Sequence, residues 1–185
     1  MRFRKALAVL FCLGALGCAA AWAEEGYSQN IAKAVKGFLL KHIEGGAKMF
    51  TFDKKEGVFR ATLNGEGEAR LLGCVIVIAD DHFRTYVVSP IGVDAKEPAK
   101  LAAMAEFICR ANYGVFNGNF EMDYSDGEIR YKSYVDCPGG MVPSEEQIGN
   151  SILVGINMQA IYLPGIKDVL FSGTSPRDAL DKLKK

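Results

Sequence analysis

The sequence predicts a single α+β domain in which an antiparallel sheet of about six strands is covered by helices on one face. Two observations lead to this class. Strand-like runs follow one another across short turns, and runs with helical apolar spacing separate them. In addition, no linker, low-complexity tract or repeat divides the chain. The predicted order is α-ββββ-α-ββ-α, followed by a small terminal helix.

The first 23 residues have the three parts of a secretory signal peptide. Three cationic residues among the first five precede an apolar run over residues 6–21. Ala21-Trp22-Ala23 then fits the small-x-small pattern that signal peptidase cuts. The sequence therefore predicts export to the periplasm or the medium, with residues 24–185 as the mature domain.

A second processing pattern overlaps the first. Ala15-Leu16-Gly17-Cys18 resembles the lipobox of bacterial lipoproteins, in which cleavage before the cysteine leaves a lipid-modified thiol. The alternative prediction is therefore a lipoprotein anchored at Cys18. No later apolar run is long enough to span a bilayer, so membrane insertion is not expected after the signal is removed.

The predicted mature chain has 162 residues and carries 19 Lys and Arg against 22 Asp and Glu, a net charge of −3. Because no basic run remains, nucleic acid is not the expected partner. Three cysteines also remain, an odd number that leaves at least one thiol unpaired. Cys74 lies in an apolar run, whereas Cys109 and Cys137 end a predicted helix and strand and form the candidate disulfide. The alternative is that all three are small buried hydrophobes.

The first elements follow from their apolar spacing. Ile31, Val35, Phe38 and His42 recur at helical intervals and predict a first helix that Gly45-Gly46 ends. His42 on that apolar face is interpreted as a core or edge histidine. Four strand-like runs follow, over residues 49–53, 58–63, 70–79 and 83–90.

Two capping boxes predict where the next helices begin. Asp94 to Glu97 has the pattern and is followed by Pro98 in the first turn. Ser144 to Gln147 repeats it and opens a helix that Pro164-Gly165 is predicted to end. A short apolar run and a terminal helix from Ser175-Pro176 complete the chain.

The acidic stretch of residues 117–136 predicts the last two strands. An EF-hand loop with Gly127 at its sixth position would carry a carboxylate at only one of four ligand positions, so no metal is expected there. Asp126-Gly127 is instead a strong signal for a two-residue turn. Centring the turn there pairs Asp123 with Arg130 and Glu121 with Lys132 on one face. The apolar side chains share the other face: Phe120, Met122, Tyr124, Ile129, Tyr131 and Val135.

One further polar cluster is a candidate site. Asp80, Asp81 and His82 gather two carboxylates and an imidazole, which could bind a metal or assist proton transfer. They also lie between two strong strands, where a polar turn is expected, and no second cluster at ligand spacing accompanies them. The turn is the favoured interpretation, so no catalytic, cofactor or metal residue is assigned.

Several local patterns in the C-terminal two thirds of the chain occur together in one known family. They are Ala111-Asn112-Tyr113 at a helix end, Gly118-Asn119-Phe120 before D-x-x-D-G-x-I, Leu163-Pro164-Gly165-Ile166 before Val169-Leu170-Phe171-Ser172-Gly173, then Ser175-Pro176 and Asp178-Ala179-Leu180. These patterns resemble the YbjN family, labelled as sensory transduction regulators. The resemblance covers residues 95–183, with a weaker fit over 28–90.

The resemblance implies the fold of type III secretion chaperones, which often dimerise and bind extended segments of partner proteins. It implies no catalytic residues. The predicted function is therefore a non-enzymatic, exported interaction module, regulatory or chaperone-like, with an unidentified polypeptide partner and a homodimer as the implied assembly. Two alternatives stay open: a hydrolase or metal-dependent enzyme using Asp80, Asp81 and His82, and a carrier of a small apolar ligand, given a hydrophobic content of 49%.

Overall fold

A computed structural model describes residues 26–43, 49–63 and 72–184 of the chain. The predicted signal peptide, the lipobox with Cys18 and the predicted helix stop at Gly45-Gly46 lie outside these residues. The helices and strands follow the predicted order, and none of the described helices is long and apolar enough to cross a membrane. The elements are α1 (Gln29–His42), β1 (Phe50–Asp53), β2 (Val58–Leu63), β3 (Leu72–Ile78), β4 (His82–Val88), α2 (Pro98–Asn112), β5 (Asn119–Met122), β6 (Ile129–Asp136), α3 (Glu145–Phe171) and α4 (Pro176–Lys182).

The six strands form one antiparallel sheet in the order β1-β2-β3-β4-β6-β5. The connection through α2 carries the chain past β6, so β5 lies outermost and β6 returns to pair with β4. Apolar side chains of β2, β3 and β4 enter the same cluster as those of α1 and α3, and those of β5 and β6 pack with α2. The helices therefore cover one face, which confirms the predicted α+β class.

Two apolar clusters lie between the sheet and the helices, and α3 contributes to both. The first cluster includes Ile76 of β3 and Ile152 of α3. The second includes Met104 of α2, Tyr131 of β6 and Ile166 of α3. Full burial of each such side chain stabilises the fold by roughly 1.5–3 kcal/mol. Because α3 has residues in both clusters, it links the two parts of the core.

The predicted start of α3 is confirmed. The Gln147 N–H donates to Ser144 Oγ at 3.2 Å, and the Ser144 N–H donates to Gln147 Oε1 at 2.8 Å. These two bonds form a capping box and satisfy backbone donors that the first turn of a helix leaves free.

The predicted end of α3 is wrong. The helix continues through Pro164 to Phe171, and the short apolar run predicted to follow it forms its last turns. A proline inside a helix costs about 3 kcal/mol. The turns after Pro164 bury Ile166, Val169 and Leu170 in the second cluster, and roughly 1.5–3 kcal/mol for each of them outweighs that cost.

The predicted capping box before α2 is also wrong. Asp94 Oδ1 accepts a hydrogen bond from the Lys96 N–H at 2.9 Å, which forms a local turn instead. The helix begins at Pro98, and Glu97 at the N-cap makes no capping bond through its side chain. Proline suits the first helical position because its missing N–H would have no partner there.

The β5–β6 hairpin has the predicted faces but not the predicted register. Glu121 lies opposite Arg130 and Met122 opposite Ile129, a shift of two residues from the predicted pairs. Side chains alternate between faces with a period of two, so this shift keeps the apolar and charged faces intact. Tyr124 is the exception, because it belongs to the connecting loop and is exposed.

The register differs because the loop is longer than predicted. The Asp123 N–H donates to the Glu128 carbonyl at 3.0 Å, which closes a loop of residues 124–127. The Asp123 carboxylate accepts the Ser125 N–H at 2.8 Å and fixes the first part of the loop. The Gly127 carbonyl accepts the Val93 N–H at 2.9 Å, so a contact with the segment before α2 fixes its end.

Candidate functional site

The predicted polar cluster lies at the tip of the β3–β4 hairpin, as the turn interpretation expected. The Ala79 N–H donates to the His82 carbonyl at 2.9 Å and leaves Asp80 and Asp81 at the tip. Asp81 Oδ1 lies 2.8 Å from His82 Nδ1, and the His82 ring stacks on Tyr134 with centroids 4.8 Å apart. Within the described ranges, no three His, Cys, Asp or Glu side chains converge as metal ligands.

Cys74, Cys109 and Cys137, the cysteines in the described part of the chain, are free thiols in the structure. Cys74 and Cys137 are buried in the first cluster, whereas Cys109 is exposed on α2. The structure holds no bond between Cys109 and Cys137, and a disulfide between them stays a prediction from the sequence. Burial raises the pKa of the Cys74 thiol to about 12, so this side chain acts as a small, protonated core residue.

A feature that the sequence did not predict lies at the end of β6. This strand runs to Asp136, whereas β5 pairs only with its residues 129–132. Residues 133–136 pair with β4 on one side, and no described strand lies on the other side. We call residues 133–136 the open edge of β6.

The alternation of backbone hydrogen bonds identifies the groups that the open edge presents. The Ser89 N–H donates to the Ile129 carbonyl and the Cys137 N–H to the Asp81 carbonyl, so the odd-numbered residues of β6 bond to β4. The N–H and C=O groups of Tyr134 and Asp136 consequently point away from β4. In the described part of the chain, no backbone group bonds to them on that side.

The chain enters β5 beside the open edge at Gly118. This residue has φ +86°, and a Cβ on it would lie 2.2 Å from the Lys132 carbonyl oxygen. Only glycine allows this left-handed backbone so close to a neighbouring strand. The Tyr131 hydroxyl donates to the Asn117 carbonyl and fixes the position of the chain just before β5 begins.

A cleft of about 390 Å³ lies along the open edge, between β6 and the first turns of α3. Residues 133–136 form one side of it, and polar side chains form the rest: Asn117, Gln147, Asn150 and Ser151. Hydroxyl and amide groups of this kind favour a chain that makes hydrogen bonds over an apolar molecule.

Buried hydroxyl groups join β6 to α3 at this cleft. Ser151 Oγ donates to Thr85 Oγ1 at 2.8 Å, and Ser133 Oγ lies 2.7 Å from Ser151 Oγ. The Ser133 hydroxyl also contacts the Ser151 carbonyl at 2.8 Å. All three side chains are buried and hydrogen-bonded, so the open edge is held in a fixed position relative to α3.

Large apolar side chains are exposed on the segments that border the cleft. Phe116 precedes Asn117 and is fully exposed, and Tyr134 on the open edge is half exposed. Met141 and Val142, in the segment that joins β6 to α3, are also half exposed. These side chains are available for apolar contacts with a segment bound in the cleft.

One local signal for the open edge was present in the sequence. Gly118 interrupts a strand-like pattern, and a glycine in that position often marks a close backbone approach. Gly118 belongs to the stretch of residues 117–136 that predicts the last two strands, and the open edge is not among the features predicted from it. The length by which β6 exceeds β5 depends on the pairing between strands, which no local pattern reports.

Comparison of the chain with protein-family models, with curated proteins and with solved structures finds no match. The resemblance to the YbjN family therefore stays a prediction.

Proposed function

We propose that the protein is a non-enzymatic polypeptide-binding module that takes up an extended segment as an added strand on the open edge of β6. The observation that carries this proposal is the pair of residues Tyr134 and Asp136, whose backbone groups face a polar cleft. In strand addition of this kind, main-chain hydrogen bonds supply affinity and side-chain contacts supply specificity. The predicted resemblance to chaperone-like domains supports the same class of partner.

The energetics require side-chain contacts as well as backbone pairing. Two residues in an antiparallel pair exchange roughly four hydrogen bonds with the added strand. At about 0.5–1.5 kcal/mol each, these contribute roughly 2–6 kcal/mol. A micromolar complex needs about 8 kcal/mol, so the cleft side chains and the exposed Phe116, Met141 and Val142 must supply the remainder.

The two alternative functions have less support. A metal-dependent enzyme would need Asp80, Asp81 and His82 to converge, but the described contacts join only Asp81 to His82. An apolar carrier would need an apolar cavity, whereas the cleft beside β6 is lined mainly by polar groups. Export, lipid anchoring at Cys18 and a homodimer stay predictions from the sequence.

Selection of displayed, unstructured heptapeptides on the purified protein tests the proposal. We expect selected peptides to bind with a Kd in the micromolar range, about 8 kcal/mol. We also expect them to protect the Tyr134 and Asp136 amides from hydrogen exchange. The variant Tyr134→Pro removes the N–H donor that Tyr134 presents on the open edge. The bonds to β4 are kept, because that N–H points away from β4. Proline is tolerated in a strand where its missing N–H would face away from the neighbouring strand. The substitution should weaken binding by about two- to tenfold, the range that corresponds to the loss of one hydrogen bond.

The matched control is Tyr134→Ala, which loses the ring and keeps the N–H. It should bind the selected peptides more tightly than Tyr134→Pro. Circular dichroism spectra would confirm that both variants are folded. Failure to select any peptide, or equal binding by the wild type and Tyr134→Pro, would show that the open edge does not take up a strand.

A further inference from the structure

We infer that the added segment carries a basic residue next to a small polar residue. The basic residue would pair with Asp136, and the small polar residue would bond to the polar side chains of α3 that line the cleft. This inference rests on the proposed strand addition. It concerns which extended segments bind, and it follows from the direction in which each side chain of an added strand would point.

An added strand places alternate side chains on opposite faces of the sheet. The Ser133 hydroxyl contacts α3, so the side chains of Tyr134 and Asp136 belong to the opposite face, away from the helices. Residues of the guest paired with Tyr134 and Asp136 would lie on that outer face. The guest residue between them would point into the cleft.

The carboxylates of Asp136 and Asp81 lie at this end of the sheet, and Arg84, opposite Tyr134, is the nearby cation on the outer face. Asp136 is exposed, and its partner across the strands is His82, which contacts the Asp81 carboxylate. Among the described residues, no lysine or arginine forms an ion pair with Asp136. Burial, followed by the charges of Asp136 and Asp81, raises the pKa of the nearby Cys137 thiol. A lysine or arginine of the guest opposite Asp136 would complement this charge.

The wall formed by α3 selects the residue that points inward. Gln147 Oε1 accepts the Ser144 N–H, which leaves the amide donors of that side chain for a guest. Asn150 is exposed on the next turn and also lines the cleft. A hydroxyl or amide side chain can bond to these groups, whereas an apolar one would remove their water without replacing it.

Antiparallel pairing then sets the order of the motif. Every strand pair in the described sheet is antiparallel. Consider an added strand that runs in the same direction as β5. Its first residue pairs with Asp136, its second points into the cleft and its third pairs with Tyr134. The expected core is a basic residue, a small polar residue and a β-branched or aromatic residue, because such side chains pair well with tyrosine across strands.

Two labelled heptapeptides, with Lys-Thr-Val and Glu-Thr-Val at their centres, test the inference by fluorescence anisotropy. The wild type should bind the lysine peptide about fivefold more tightly, the upper range for a cross-strand charge pair. The variant Asp136→Lys should reverse this preference. The control Asp181→Lys makes the same charge change on α4, near the other end of α3, and should keep the preference of the wild type.

The outcomes separate this inference from the function on which it rests. An unchanged lysine preference in Asp136→Lys, or library peptides selected without a basic residue, would overturn the inference. The proposed function would stand in both cases if Tyr134→Pro still weakened binding. If neither heptapeptide nor any library peptide binds the wild type, the proposed function fails and the inference fails with it.

Discussion

Gly127 shows how a single residue connects two parts of the chain that are distant in sequence. Its backbone has φ +77°, and a Cβ on it would lie 1.7 Å from the Val93 carbonyl oxygen. The same glycine accepts the Val93 N–H through its own carbonyl. Glycine is therefore needed at this position for two reasons: the turn requires a positive φ, and the Val93 backbone leaves no room for a Cβ.

We expect Gly127→Ala to lower the free energy of unfolding by about 2–4 kcal/mol, because strained backbone and displaced packing both contribute. Gly139→Ala is the matched control. Gly139 has φ +65°, but a Cβ on it would meet no atom within 4 Å, so only the backbone strain of about 1 kcal/mol applies. Urea denaturation measures both values, and equal losses would contradict the role given to Val93.

At the scale of elements, Glu121 holds the charged face of the β5–β6 hairpin. Its carboxylate accepts a hydrogen bond from Arg130 Nε at 3.0 Å and another from Lys132 Nζ. Burial alone would raise the pKa of Glu121. The hydrogen bonds and charges of Lys132 and Arg130 outweigh that effect and hold the pKa below its ordinary value.

The lowered pKa predicts how the stability of this hairpin depends on pH. The stabilisation is present above the unfolded pKa of about 4.3 and is lost as the pH falls through the lower, folded pKa. Because solvent screens a pair that is one quarter exposed, Glu121→Gln should lower the free energy of unfolding at pH 7 by only about 0.5–1 kcal/mol. The difference from the wild type should shrink as the pH falls below about 4.

Glu145→Gln is the control for this prediction. Glu145 joins Lys41 and His42 at the start of α3 but is half exposed, so its removal should leave the unfolding midpoint unchanged. Chemical denaturation at several pH values measures both variants. A loss in Glu121→Gln that persisted below the folded pKa would contradict the assigned ion pairs.

The sequence predicted the elements that depend on neighbouring residues. Apolar spacing located the helices and strands, and the capping box from Ser144 to Gln147 located the start of α3. The sequence did not predict the features that depend on contacts between distant segments. Pro164 stays within α3 because of burial in the second cluster, and the hairpin loop takes its length from the contact with Val93.

Helix α3 makes the core continuous from one end of the sheet to the other. Its 27 residues contribute Ile152 to the first cluster and Ile166 to the second. The helix also contacts β4, β6, α1, α2 and α4. Separate unfolding of either cluster would expose one half of this helix, so we expect the described fold to unfold as one unit.

Thermal unfolding followed by far-ultraviolet and near-ultraviolet circular dichroism should therefore give coincident transitions. Ile152→Ala and Ile166→Ala remove side chains from different clusters. Each should lower the free energy of unfolding by about 2–4 kcal/mol and shift the same single transition. Two transitions, only one of which moved in each variant, would contradict a shared core.

The candidate site is a property of this whole arrangement, and this is why the sequence did not predict it. The open edge exists because β6 pairs with β4 over its full length and with β5 over half of it. The residues that line the cleft come from separate segments of the chain. Their identities were readable, but their proximity depends on the strand order, in which β6 lies between β4 and β5.

The step at Gly118, where β5 begins short of the end of β6, has a consequence for solubility. A long, flat edge strand invites the edges of other sheets and promotes aggregation. Along the open edge of β6 only Tyr134 and Asp136 present backbone groups, and they lie in a recess between β5 and the start of α3. A short, recessed edge is a poor template for the edge of another sheet, whereas a single flexible chain can reach it. The same step in the sheet would thus discourage self-association of folded molecules and admit an unfolded segment.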